Sequence, residues 1–402
     1  MGNSSYSIPA NCRRIELHAP HDDVSQADLR VVEVPMPVPK SGEVLIKVVA
    51  APVNPSDYGA WKPTNARDLS SSSTDGDNGF KPKAVGNEGS GIVVASGGGV
   101  YANSVVGKNV GFVTNVKGQG SYSEYCVVNA LEGIFPLPDN VKCEAAASHF
   151  VNPYTACGFI DTVRARHAST GRGKGKPGFV HTAAASQLGQ MLVKLCKQED
   201  VTIINIVRKQ EQEDILKALG AEHIIRSDQA GWEAKLAALM AEHNVRIAFD
   251  AIAGEMSGKL MDALPIDGSL YVYGVLSGEG CSGILPLDLI YRKKKMEGWY
   301  LGSWIKGETA GASAAVSMLL RLKAATTLVH GGLVDKDGWA VSQFVDCSLD
   351  DMTEKFRAMY KESGFTGQKL RIRFPQTEPA VTATTATTAA VDIHADKEEE
   401  KK

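Results

Sequence analysis

Residues 178–189 read GFVHTAAASQLG, a short apolar run followed by a turn of small residues. The run at 178–182 is typical of a buried strand, and residues 187–198 continue with the pattern of a helix. Residues 201–207, VTIINIV, form a second strand that is apolar on both faces, as strands inside a parallel sheet are. Strands and helices alternate in this way to residue 273. The alternation predicts an α/β fold with a doubly wound parallel sheet.

The chain before about residue 150 has a different pattern, in which short β-branched runs are separated by Pro and Gly. These runs predict a β-rich domain, and they lie at 29–34, 43–49, 91–94 and 121–128. Residues 65–79 contain four consecutive serines and a DGDNG run, which predicts a surface loop. Residues 375–402 are rich in Thr, Ala, Glu and Lys, so we expect this tail to be disordered and the folded part to end near Phe374.

The composition is that of a soluble globular protein. The 402 residues carry a formal net charge of −3, with 43% hydrophobic and 22% charged side chains. This balance gives no reason to expect nucleic acid as a partner, and no apolar run is long enough to span a membrane. Residues 1–12 are predicted to be a disordered tip without a targeting signal. The seven cysteines are scattered singly, which favours reduced thiols and a cytoplasmic location, with a mitochondrial location as the alternative.

The turn after the first strand of the parallel sheet is a candidate dinucleotide site. In such folds the backbone N–H groups of this turn bind a pyrophosphate at the amino end of the following helix. The usual turn is rich in glycine, whereas this one keeps a single glycine among other residues; the candidate contacts are Ala185, Ser186, Gln187, Leu188 and Gly189. An ordinary strand-to-helix turn is the alternative interpretation.

Two cations follow the second strand of the sheet, about 20 residues after the turn. A site for NAD would place Asp or Glu here to bind both ribose hydroxyls. Arg208 and Lys209 instead suit the additional 2′-phosphate of NADP. The alternative is an exposed Arg-Lys pair without a ligand, and the fold favours the phosphate.

Several motifs, taken together and in this order, resemble the medium-chain dehydrogenase/reductase superfamily. They are VNPSD at 53–57, AVGNEG at 84–89, FVNPYTA at 150–156, the turn at 183–189 and DAIAG at 250–254. The resemblance covers residues 13 to 374 and is strongest to the zinc-independent quinone oxidoreductases and the mitochondrial-type enoyl-thioester reductases. It implies a GroES-like catalytic domain at 13–149, completed by 331–374, and a Rossmann cofactor domain at 150–330.

The zinc-dependent members of that superfamily have metal ligands that this chain lacks. Asn54 stands where they have Cys, Asn87 stands where they have His, and Val151 or Asn152 stands near their third ligand. Without thiol or imidazole ligands a tetrahedral zinc ion is not held. We therefore expect no metal site.

The resemblance also implies a set of NADPH contacts. Asn152 and Thr155 would lie near the nicotinamide and its ribose, and the loop with Tyr273, Gly274 and Leu276 would meet the carboxamide. Lys369, in the segment GQKL, would approach the cofactor phosphates. Asn54 and Tyr58 are the predicted catalytic residues, with Tyr58 as proton donor; a packed aromatic is the alternative for Tyr58.

The predicted activity is NADPH-dependent hydride transfer to a conjugated carbonyl compound, namely a quinone, an enone or an enoyl thioester. An NADPH-binding structural or interaction protein with little turnover is the alternative. Residues 297–304, EGWYLGSW, resemble a segment of enoyl reductases and equally suit a hydrophobic edge strand in a homodimer. Two basic runs have no place in this scheme except as polyanion contacts or solvated surface: residues 292–295, and the set Arg164, Arg166, Arg172, Lys174 and Lys176.

Overall fold

The computed structural model describes residues 7–63, 80–169, 175–307, 314–362 and 367–376. The predicted loop at 65–79 and all but the first two residues of the predicted tail lie outside these ranges. Within them, no helix is long and apolar enough to cross a membrane.

The described strands number sixteen in chain order. They are β1 Asn11–Ala19, β2 Asp28–Pro35, β3 Glu43–Pro52, β4 Lys83–Ala84, β5 Glu88–Ser96, β6 Asn109–Val113, β7 Tyr125–Asn129, β8 Ile134–Pro136, β9 Gly178–His181, β10 Thr202–Val207, β11 His223–Arg226, β12 Ile247–Asp250, β13 Ser269–Val272, β14 Lys295–Gly298, β15 Phe344–Cys347 and β16 Lys369–Arg373.

The described α-helices are numbered separately from the strands. They are α1 Pro55–Gly59, α2 Val100–Ser104, α3 Ala130–Gly133, α4 Val151–Ser169, α5 Gln187–Gln198, α6 Gln210–Ala218, α7 Trp232–Glu242, α8 Glu255–Ala263, α9 Pro286–Ile290, α10 Leu301–Lys306, α11 Ala314–Val334 and α12 Met352–Glu362.

The amino-terminal and carboxyl-terminal parts of the chain share one sheet. Its path is β15-β16-β3-β5-β6-β8, with β7 also paired to β3, and a smaller sheet has the order β2-β1-β4. The long strand β3 is central because its residues are almost all buried and contribute to three hydrophobic clusters. This arrangement brings β16 beside residues 50–52 at the end of β3.

The middle of the chain forms a six-stranded parallel sheet with the order β11-β10-β9-β12-β13-β14. Its inner strands β9 and β12 are buried throughout, which is why they read as continuous apolar runs in the sequence. The predicted α/β fold with a doubly wound Rossmann sheet and a GroES-like domain is therefore confirmed. In sheets of this kind ligands bind beyond the carboxyl ends of the strands.

Two ends of the folded region differ from prediction by a few residues. β1 begins at Asn11, inside the segment 1–12 predicted to be disordered, because residues 11–17 pair with β2. Gln376 lies beyond the predicted end at Phe374, and its side-chain Nε2 donates to the Val48 carbonyl at 3.1 Å. The domain boundaries at 149/150 and 330/331 remain predictions from the sequence.

Candidate functional site

The turn between β9 and α5 has the tight backbone that a phosphate site requires. Ser186 precedes the helix, and its Oγ accepts a hydrogen bond from the Gly189 amide at 3.2 Å. A Cβ atom on Gly189 would lie 2.0 Å from the Ala184 carbonyl oxygen, so only glycine fits there. Ala183 adopts a φ of 51°, in the left-handed region where glycine is usual. The small residues of the motif are thus explained by close packing of helix on strand.

Arg208 and Lys209 follow β10, the strand beside β9, at the same edge of the sheet as the turn. Both side chains are exposed. Their backbone amides donate to the side-chain Oε1 of Gln212 at 2.9 and 3.2 Å. These hydrogen bonds fix the start of α6. Among the residues that the structure describes, neither cation makes an ion pair. Both charges are therefore available to an anion at this edge.

The side chain of Gln187 connects the turn to the carboxyl-terminal part of the chain. Its Nε2 donates to the Gly367 carbonyl at 2.6 Å, and its Oε1 accepts from the Gln343 amide at 2.8 Å. The side chain is thereby committed within the protein. A contact between Gln187 and a cofactor, as the sequence predicts, would have to come from its backbone.

The amino end of α4 is capped by a carboxylate from the β-rich domain. Oε2 of Glu88 accepts hydrogen bonds from the amides of Phe150 and Val151 at 2.8 and 2.9 Å. The predicted contact residues follow directly: Asn152 is half-buried, while Thr155 is buried and its hydroxyl donates to the Val151 carbonyl at 2.6 Å. The first turn of α4 is therefore held by an acid that the sequence analysis did not single out.

Asn54 lies between the buried charges of Glu88 and Lys369. The Asn54 Nδ2 donates to Glu88 Oε1 at 2.9 Å, and Lys369 Nζ donates to Asn54 Oδ1 at 2.6 Å. All three side chains are at most 4% exposed. Burial raises the pKa of Glu88 and lowers that of Lys369, while each charge favours the ionised form of the other. The amine of Lys369, predicted at the cofactor phosphates, thus lies against Asn54 in this structure.

Asp57 is a second buried acid at this place. Its carboxylate accepts hydrogen bonds from the amides of Asn54 and Asn87 at 2.7 and 2.9 Å. Burial raises the pKa of Asp57 to about 7, and the neighbouring Glu88 charge adds to the shift against the effect of the amide hydrogen bonds.

Asp57 should make the protein less stable as the pH rises towards neutrality. Because its pKa is 3.8 in ordinary surroundings and about 7 here, the folded chain binds the proton more tightly than the unfolded chain between these values. That difference costs about 1.36 kcal/mol of unfolding free energy per pH unit. Between pH 5 and pH 7 the free energy of unfolding, measured by urea titration, should therefore fall roughly 2–3 kcal/mol less in Asp57→Asn than in the wild type. Asp139→Asn, at an exposed position, should follow the wild type; equal pH slopes in all three proteins would refute the assignment.

Tyr58 lies in an aromatic cluster with Trp61, Phe356 and Tyr360. Its ring centroid is 5.6 Å from that of Phe356 and 5.8 Å from that of Tyr360. Burial raises the pKa of the phenol above its ordinary value. This is the placement expected for a packed aromatic, the alternative interpretation of Tyr58.

The loop after β13 contacts the sheet through the Tyr273 side chain and through its backbone. The Tyr273 hydroxyl is 2.7 Å from His181 Nε2, inside the sheet layer, and burial raises its pKa above the ordinary value. A Cβ on Gly274 would lie 2.8 Å from the Ala251 carbonyl oxygen, which also accepts from the Leu276 amide at 2.9 Å. Leu276 itself is half-exposed. Val275 and Leu276 are the apolar side chains of this loop that reach the surface.

Known proteins match both parts of this chain. The family model for the alcohol dehydrogenase GroES-like domain matches residues 40–139, and the model for zinc-binding dehydrogenase matches residues 188–318. The chain belongs to the medium-chain dehydrogenase/reductase superfamily.

Individual members of the superfamily are similar over most of the chain. The mitochondrial enoyl-[acyl-carrier-protein] reductase of Homo sapiens is 26% identical over 316 residues, 75% of this chain and 77% of that protein. Prostaglandin reductase-3 of Mus musculus is 29% identical over 306 residues, 74% of this chain and 73% of that protein. A Mesorhizobium loti protein assigned as an NADPH:quinone reductase superposes with a TM-score of 0.76 at 28% identity, over 92% of this chain and 100% of its own.

In this member of the superfamily, Asn54 and Asn87 stand where zinc-dependent members have metal ligands, and the Lys369 ammonium lies beside Asn54. Lys369 and Asn54 are in direct contact, and Asn87 donates its amide to Asp57. In the described part of the chain, no three His, Cys, Asp or Glu side chains converge as metal ligands.

Proposed function

We propose that this chain is an NADPH-dependent reductase of conjugated carbonyl compounds. The observation that carries the proposal is the pair of exposed cations, Arg208 and Lys209, beside the small-residue turn at the carboxyl edge of the parallel sheet. A 2′-phosphate satisfies these charges, and no acid takes their place. The reductases to which the chain is similar, enoyl, prostaglandin and quinone reductases, support the same reaction class.

The residues of the turn fit a dinucleotide. The close approach of Gly189 to Ala184 fixes the start of α5, and the positive end of this 12-residue helix would bind a pyrophosphate. A bound NADPH would supply the hydride. The chain supplies position: Arg208 and Lys209 bind the 2′-phosphate, and Asn152 and Thr155 at the start of α4 orient the ring and ribose. Glu88 fixes that helix end, and Lys369 keeps the adjacent buried charge compensated.

We further propose that no zinc ion takes part. The buried positive charge beside Glu88 is the Lys369 ammonium, and the Asn54 amide bridges the two by hydrogen bonds. A second cation there would face a donor set of two carboxylates, Glu88 and Asp57, and amides, without the thiol and imidazole that zinc prefers.

Chelation should therefore leave the activity unchanged. After dialysis against EDTA, turnover should stay within experimental error of the untreated enzyme, and elemental analysis should find well under one zinc per chain. One zinc per chain, with activity lost on its removal and restored by its return, would contradict the proposal.

The function itself is tested by the loss of NADPH absorbance with a panel of quinones, enones and crotonyl-CoA. Turnover of at least one class supports the proposal, while bound NADPH without turnover on any of them would favour the binding-protein alternative.

The same panel of substrates also tests the predicted role of Tyr58 as proton donor. If its phenol donates the proton that accompanies the hydride, Tyr58→Phe should reduce turnover of enones and crotonyl-CoA but not of quinones, since phenylalanine keeps the aromatic packing.

We propose a homodimer assembled through β14. This strand ends the parallel sheet, all four of its residues are exposed, and Met296 is 43% exposed. Beside it the short helix α9 presents Leu287 and Ile290, both more than 60% exposed. An unpaired strand edge beside exposed apolar side chains is normally covered. A solution mass of twice 42.9 kDa by sedimentation is expected. For the location, we propose the cytoplasm, and the similarity to mitochondrial enoyl reductases supports the mitochondrion as the alternative.

A further inference from the structure

A cavity of about 410 Å³ lies at the edge of the parallel sheet opposite to the turn. It is bordered by the first residues of four neighbouring strands: Gly178, Ile247, Ser269 and Lys295. Parallel strands start at one edge and end at the other, and the turn and Arg208 follow the strand ends. Strands of four residues, at about 3.3 Å each, keep the two edges at least about 13 Å apart. The cavity is therefore separate from the proposed cofactor site.

Cations dominate the lining of this cavity. It contains the four cations Arg166, Arg246, Lys293 and Lys295 and the imidazole of His167, against the single carboxylate of Asp267. The chain as a whole has a formal net charge of −3, so the excess of positive charge is local. Both basic runs that the sequence analysis left without a role contribute to it, Arg166 from one and Lys293 and Lys295 from the other.

Neighbouring residues of the run at 292–295 have different environments. Asp288 forms ion pairs with Arg292 at 3.0 Å and with Lys294 at 2.9 Å, and Lys294 is buried. Lys293 and Lys295 are exposed at the cavity, and in the described ranges neither has a carboxylate within 4.0 Å. Asp288 thus pairs with the two cations that point elsewhere, while Lys293 and Lys295 at the cavity form no ion pair with a described carboxylate.

The two arginines are held in place by the protein. Arg246 Nη1 donates to the Ile266 carbonyl at 2.7 Å, its Nε donates to Asn244 Oδ1 at 3.3 Å, and Arg166 Nη2 donates to the Ser269 hydroxyl. Interaction with the negative end of a helix accounts for Arg166 and His167, in the last turn of α4. It does not account for Arg246 and Lys295, which stand at the starts of strands.

We propose that this cavity binds a phosphate ester of about mononucleotide size. Its volume falls within the roughly 300–1,000 Å³ of small-molecule sites. Fixed guanidinium groups and flexible ammonium groups together are the donors that proteins use for phosphate. Val163 and Ile247 provide an apolar wall for the organic part of the ligand.

The test is calorimetric titration of the full chain with inorganic pyrophosphate and with ADP. In Lys293→Gln/Lys295→Gln the Kd for pyrophosphate should rise about a hundredfold, which at about 1.4 kcal/mol per tenfold step is one decade for each lost cation. The matched control Lys235→Gln/Lys336→Gln removes two exposed lysines elsewhere and should leave Kd unchanged. ADP should bind more tightly than pyrophosphate, since its nucleoside contacts the apolar wall.

Arg208→Ala separates this site from the cofactor edge. It should leave the cavity's Kd for pyrophosphate unchanged, and the Lys293→Gln/Lys295→Gln protein should oxidise NADPH at the wild-type rate, which also shows that it is folded. The proposal is overturned if the double variant binds pyrophosphate as the wild type does, if Arg208→Ala is the change that weakens it, or if ADP does not bind at the cavity.

Discussion

Replacing Lys369 by Met should lower the free energy of unfolding by about 3–5 kcal/mol, because it leaves a buried carboxylate without its cation. Glu88 is 1% exposed, and its charge reaches the Lys369 ammonium through the amide of Asn54. Methionine has a similar length and apolar character, so the loss is mainly electrostatic and not a loss of packing.

A double-mutant cycle in urea distinguishes this pairing from general damage at the site. Glu88→Gln removes the opposite charge, and Lys369→Met/Glu88→Gln should be clearly more stable than the sum of the two single effects predicts. The exposed control Lys361→Met should change stability by no more than about 0.5 kcal/mol. Additive single effects, or a Lys369→Met protein within about 1 kcal/mol of the wild type, would show that the two charges do not depend on each other.

Arg208→Ala should raise the KM for NADPH about ten- to a hundredfold and leave the KM for NADH nearly unchanged. A charge-assisted contact to the 2′-phosphate is worth roughly 1.5–3 kcal/mol, and one decade corresponds to about 1.4 kcal/mol. Arg208→Asp should go further, because the carboxylate repels the phosphate and accepts from free ribose hydroxyls. Lys209 is exposed beside Arg208 and also attracts the phosphate, so we expect the rise in KM for Arg208→Ala to be nearer tenfold than a hundredfold.

The turnover number should move little in both Arg208 variants, since the side chain is exposed at the end of β10 and acts on binding. Lys235→Ala, which removes an exposed cation from α7, is the matched control for the change in net charge. A wild-type enzyme that prefers NADH, or equal weakening of both coenzymes by Arg208→Ala, would contradict this role.

The parts of the fold that depend on local pattern were predictable from the sequence. The helix at 187–198 begins and ends where predicted, because Ser186 is a favourable N-cap and the apolar residues repeat at helical spacing. The strand β1 was not predicted, and residues 11 and 12 were assigned to a disordered tip, because the pairing of β1 with β2 has no local signal in the sequence.

The contacts among the buried charges of the site could not be predicted from the sequence, because they too join residues that are far apart in the chain. Lys369 and Asn54 are 315 positions apart, and only the pairing of β16 with β3 brings their side chains together. Glu88 stands inside the quoted motif AVGNEG, so an acid amid small apolar residues was the available signal. Asp57 and Tyr58 are neighbours on α1, where successive side chains point about 100° apart, so one faces Asn87 and the other faces Phe356.

Glu88 and Gln187 have a mechanical consequence when they are considered together. Glu88 fastens the start of α4 to the β-rich domain, and Gln187 fastens the start of α5 to residues 343 and 367. The buried core also continues from one half into the other, because Val49 and Phe135 of the β-rich domain share it with Phe159 and Phe179. We therefore expect the starts of α4 and α5 to keep their positions against the β-rich domain, so that any movement of the cleft is largest far from these side chains.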